Sequence, residues 1–117
     1  MNVYIMTDLE GISGVSTMEH VKDVGSDIHR FACERLMADT NAAIEGAARA
    51  GAKKIYVSDG HGPANSFIDE LLDPRATKVP CGKFSEVIQN DREIGAYLQV
   101  GAHAMPGTLN GFLDHAQ

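Results

Sequence analysis

One long helical pattern set between two short apolar runs constrains this chain more than any other feature. From Asp27 to Ala50, the residues Ile28, Phe31, Ala32, Leu36, Ala43, Ile44 and Ala47 recur at helical spacing, with Arg30, Glu34, Asp39 and Glu45 between them. Ser26 or Asp27 suits the N-cap, and Gly51 suits a left-handed C-terminal cap. On either side lie residues 2–7 and 54–58, both short, apolar and rich in β-favouring residues, which read as buried strands. A strand, a long helix and a second strand in succession make a crossover unit, so the two strands are expected to run parallel.

The remaining chain continues that alternation. A short helix is expected over 64–72, closed by Asp73-Pro74, then a weak third strand over 76–79 and a short helix over 84–89. A fourth strand covers 94–100, and the segment from Asp8 to Gly25, with Gly11 and Gly14, reads as loop. The expected fold class is α/β: a mostly parallel sheet with helices on both faces, in a single domain over residues 1–117. No repeat, linker or low-complexity tract interrupts it.

Charge and composition narrow the function classes. Ten Lys and Arg stand against 16 Asp and Glu, a net charge of −6, and no basic cluster occurs, which disfavours nucleic acid as a partner. No apolar run approaches the ~20 residues that span a bilayer. Met1 leads almost directly into the first strand, so no signal peptide is expected and the protein is expected to be cytoplasmic. Cys33 and Cys81 form no C-x-x-C pattern; they read as a packed small hydrophobe and a loop thiol, not as a disulfide or zinc knuckle.

The chemistry gathers at the strand ends. Asp8 and Glu10 follow the first strand, Asp59 and His61 the second, and His103 the fourth. Ligands of open parallel sheets bind beyond the carboxyl ends of the strands, so three loops are expected to deliver carboxylates and imidazoles to one edge. Each residue alone has a plain explanation, since an Asp after a strand commonly forms a turn and a loop His is commonly solvated. Their joint occurrence at three strand ends is harder to assign to turns. Two carboxylates with two imidazoles suit Zn²⁺ or Mn²⁺ better than Mg²⁺. Asp8 and Glu10, two apart, share one side of an extended segment, and a short Asp carboxylate can bridge two metals. Asp59, two before His61, is a candidate to hold that imidazole's tautomer from behind. His20 and His29 are expected to be solvated, and His115 is ambiguous on its own.

At these residues the sequence resembles the zinc-dependent D-aminopeptidases, the M55 peptidases. The matching stretches are Tyr4-Ile-Met-Thr-Asp-Leu-Glu-Gly-Ile-Ser-Gly14, Val57-Ser-Asp-Gly-His61, Val100-Gly-Ala-His-Ala104 and Gly111-Phe-Leu-Asp-His115. The resemblance implies a dinuclear zinc centre in which Asp8 bridges the ions, Glu10 and His61 hold one, and His103 holds the other. His115 would match the family's catalytic histidine, described as a nucleophile; the residues themselves leave open whether it attacks or transfers a proton. Short peptides with an N-terminal D-residue would be the substrates, and a homodecamer with an inner chamber the assembly. The resemblance also implies a further Glu ligand beyond the catalytic histidine. This chain is therefore expected to be the N-terminal part of a longer protein, with one metal site incomplete and little activity alone.

Two other readings compete. A strand followed by Asp8-x-Glu10 faintly resembles Mg²⁺-dependent phosphohydrolases with an aspartyl nucleophile, but this leaves His61 and His103 idle. A non-catalytic metal- or peptide-binding assembly module is the third.

Overall fold

The computed structural model describes residues 1–116. Its elements are β1 (Asn2–Thr7), α1 (Met18–Lys22), α2 (Asp27–Arg49), β2 (Ile55–Asp59), a 3₁₀ turn (Asp69–Leu71), β3 (Ala76–Lys78), α3 (Phe84–Asn90) and β4 (Ile94–Val100). The four strands form one parallel sheet in the order β3-β2-β1-β4. None of the helices described is long and apolar enough to cross a membrane.

The long helix forms as its sequence predicts. Ser26 Oγ accepts the His29 N–H at its start. At its end Gly51, with φ +92°, allows the Gly51 N–H to reach Ala48 O and the Ala52 N–H to reach Ala47 O, a Schellman closure. The apolar stripe of α2 then covers one face of the sheet, where Ile44 and Ala47 pack with Val3, Ile5, Ile55 and Val57. Further along the helix, Leu36 and Met37 pack with Leu9, Ile12 and Ile68.

The other face is aromatic. Strand register places Tyr4 beside Tyr56 on one side and Tyr97 on the other. Their rings stack at centroid distances of 6.1 and 5.6 Å, and Phe84 of α3 meets Tyr4 edge-on at 5.1 Å. Helices thus lie on both faces, although α3 has only seven residues.

Three local expectations change. The helix expected over 64–72 is a loop ending in a single 3₁₀ turn, because Asp59 draws the Ser66 N–H to its carboxylate and holds the segment open. The region read as loop contains α1, five residues capped at Thr17, whose hydroxyl lies 2.9 Å from His20 Nδ1. His29, expected to be solvated, is buried, its ring 3.7 Å from Cys33 Sγ one turn along α2.

The order of the strands fixes where a ligand fits. The chain runs outward from β1 through β2 to β3, then crosses back to place β4 on the far side of β1. The crevice beyond the carboxyl ends of β1 and β4 is therefore the topological switch point. Thr7 is level with Asp59 on one neighbour and with Val100 on the other, so the three loops that follow start from one plane.

Candidate metal centre

Close backbone contact draws the loops together. The Asp8 N–H donates to Val100 O and the Gly11 N–H to Gly101 O, both at 2.8 Å. A Cβ on Gly11 would collide with the carbonyl oxygens of Gly101 and Ala102, so only glycine permits this approach. Leu9, fully buried, points into the core, and its neighbours Asp8 and Glu10 turn towards the crevice.

Asp8, Glu10 and His61 each offer a ligand atom within 4.8 Å of the others, and all three are buried. His61 Nδ1 lies 3.1 Å from Glu10 Oε2 and 3.4 Å from Asp8 Oδ1. The second Asp8 oxygen, Oδ2, is 3.5 Å from His103 Nε2. Asp8 therefore stands between two imidazoles, one oxygen towards each. His103 Nδ1 is 2.8 Å from Ala104 O, to which it donates, so Nε2 is the ring atom that faces Asp8. That Nε2 is buried without a hydrogen-bond partner.

His115 joins the same group. Its ring stacks on His103, with centroids 3.6 Å apart and 18° between the planes. Its Nδ1 is 2.6 Å from Leu113 O, which leaves Nε2 as its free position. Asp59 takes a different place from the one expected. Its Oδ1 accepts the backbone N–H of His61 and its Oδ2 that of Ser66, so it shapes the His61 loop and does not touch the imidazole. A short acid two residues from its acceptor closes an Asx-type turn more readily than it reaches a ring.

The electrostatics show mutual pressure. Burial pushes the Asp8 carboxyl up, but contacts with His61 and Glu10, the Leu9 N–H and the charge of His103 outweigh it and hold Asp8 at about 2. Glu10 is raised by burial and by the adjacent Asp8 carboxylate. His61 is raised, its contact with Asp8 outweighing the burial that opposes protonation. Asp59 is raised by burial despite the N–H groups of Ser66 and His61.

This donor set fits zinc. Two carboxylates and two imidazoles with no thiolate are borderline-hard ligands, and a buried imidazole nitrogen without a hydrogen-bond partner is a group that a cation satisfies. A cavity of about 490 Å³ opens beside the cluster, with Glu10, His61 and His115 on its wall. Val21 and Lys22 of α1 also line it. Sequence reading missed both, because a five-residue helix shows too little periodicity to stand out.

A parallel α/β sheet with carboxylates and imidazoles facing one another at its switch point is an arrangement that could hold a divalent cation. The chain belongs to the D-aminopeptidase family of M55 peptidases, whose model matches residues 1–117. Among solved structures it is similar to the Zn-dependent D-aminopeptidase DppA from Bacillus subtilis, described as a self-compartmentalizing protease. Sequence identity is 27% and the TM-score 0.84, over 100% of this chain and 43% of that one. Among curated proteins, none matches the chain.

Proposed function

We propose that the centre is a dinuclear zinc site that removes the N-terminal residue, in the D-configuration, from short peptides. The observation that carries this reading is Asp8, whose two oxygens face imidazoles on opposite sides. Glu10 and His61 would hold one ion with Asp8, and His103 would hold the second. The chemistry that bound zinc supplies is Lewis-acid polarisation of the scissile carbonyl.

The chain's own residues do the rest. Asp8, ionised down to about pH 2, keeps its charge for the cations throughout the physiological range. The Ala104 carbonyl orients His103, and the stack of His115 on His103 holds the second ring beside the cluster. Nε2 of His115 is the position that moves a proton, since Nδ1 is committed to Leu113 O.

DppA is described as self-compartmentalizing, and by likeness this protein is expected to act as a homo-oligomer. A magnesium phosphohydrolase would leave both imidazoles at Asp8 without a role. The test is release of D-alanine from D-alanyl-D-alanine by the zinc-supplied full-length protein, followed by chiral chromatography. Release by the wild type, abolished in His115→Ala with zinc uptake intact, supports the proposal. Zinc uptake with no release of D-alanine overturns it in favour of a non-catalytic module.

A further inference from the structure

The cavity beside the metal cluster is asymmetric in a way that the hydrolytic chemistry does not require. Val21, Val24, Pro63 and Leu113 make most of its wall apolar. Glu10 and His61 of the cluster, with His115 and Asn65, complete the lining. Lys22, at the end of α1, is the one lysine or arginine on its lining. No ion pair with Lys22 occurs among the described residues, whereas Arg30, Arg49, Arg75, Lys78 and Lys83 all pair with acids. A free ammonium in a chain of net charge −6, on the wall of a cavity that Glu10 also lines, gives that cavity groups of both charges.

Leu113 shows that the wall is held in place. It adopts φ +47°, a left-handed conformation that branched side chains rarely take. In that conformation its carbonyl accepts from His115 Nδ1, and its side chain both lines the cavity and packs on the core. One residue thus ties the apolar wall to the His115 ring.

Resting on the peptidase reading above, we propose that Lys22 determines specificity by binding the free C-terminal carboxylate of a very short peptide. The N-terminus of that peptide lies at the Asp8–Glu10 cluster and its apolar side chains lie against Val21, Val24, Pro63 and Leu113. The charges match in both directions: ammonium against carboxylates at one end, carboxylate against ammonium at the other. A longer peptide carries its carboxylate past Lys22, and a C-terminally amidated one carries none. The enzyme is therefore selective for peptide length as well as for the N-terminal residue.

The test is titration calorimetry on the zinc-loaded chain with D-alanyl-D-alanine and with D-alanyl-D-alaninamide, in the His115→Ala background that does not consume them, for wild type, Lys22→Met and Lys22→Arg at position 22. An exposed ion pair predicts that wild type binds the free acid about five-fold more tightly than the amide. In Lys22→Met the ratio of the two dissociation constants falls to about one, and in Lys22→Arg the preference persists. The wild-type preference also shrinks as salt is raised. Equal affinity of wild type for the two ligands, or a preference that survives in Lys22→Met, overturns this inference while leaving the peptidase reading intact. Binding of neither ligand overturns both.

Discussion

The two ends of the sheet treat their polar groups in opposite ways. At the amino end, Asp91 accepts hydrogen bonds from Asn2 Nδ2 at 2.8 Å and from the Tyr56 hydroxyl at 2.6 Å. Asn2 Oδ1 in turn accepts the Lys54 N–H. These bonds tie β1 and β2 to the turn before β4. At the carboxyl end, carboxylates crowd against each other and an imidazole nitrogen is buried without a partner. The larger cavity, about 620 Å³, is at the amino end, where Lys53 and Lys54 alternate with Glu86, Asp91 and Glu93. Volume therefore does not mark the working end. Buried carboxylates and imidazoles with shifted protonation do, since such groups gather at functional sites.

Substitutions at the two ends should separate these roles. Asp8→Ala is expected to have the largest effect, lowering zinc affinity by at least about 100-fold, since loss of even an outer partner of a ligand costs about 10–100-fold. Competition with a chromophoric chelator measures it, and unchanged affinity would show that the centre is not where zinc binds. Gly11→Ala forces a Cβ onto the carbonyls of Gly101 and Ala102, pushing the β1 and β4 loops apart. A loss of about 1–3 kcal/mol in urea unfolding is expected, together with weaker zinc binding. Asn2→Ala, at the buried amino end, should cost about 1–3 kcal/mol in the same unfolding assay and leave zinc affinity unchanged. A parallel fall in zinc affinity would mean that the two ends are not independent.

The smallest effect is in the pH dependence of the metal-free chain. Asp8, depressed to about 2, contributes stability that is present above its unfolded value near 4 and is lost as pH falls towards 2. His61 is raised, so its contribution is complete below about 6.5 and is lost as pH rises through its folded value. The pair therefore stabilises most between about pH 4 and 6.5. Glu10, raised by burial and by Asp8, subtracts from that gain as it ionises. Thermal melts of wild type and Asp8→Asn in chelator should differ most inside this window; a constant difference across pH would contradict the opposed shifts.

Elements with long periods or clear ends could be read from the residues alone. The helix of 27–49 announced itself through its apolar stripe, its serine cap and Gly51, and each of those groups makes the bond expected of it. The strand-end rule brought Asp8, Glu10, His61 and His103 to one edge, because parallel register makes the strand ends level. What could not be read depends on contacts between distant segments. The tyrosine stack needs the register of three strands. The apolar residues Phe67, Ile68, Leu71 and Leu72 mimic a helical pattern. They fail to form a helix because Asp59, one of the expected site residues, holds the segment open through Ser66. The same carboxylate is thereby engaged with backbone N–H groups and not with the His61 ring.

The most direct measurement is anomalous diffraction at the zinc edge from crystals of the chain grown with excess zinc. A peak within about 2.0–2.2 Å of an Asp8 oxygen and of an imidazole nitrogen of His61 is expected, with a second peak between Asp8 Oδ2 and His103 Nε2. Zinc found only on surface residues, with the space around Asp8 empty of anomalous signal, would contradict the assignment of this strand-end cluster as the metal centre.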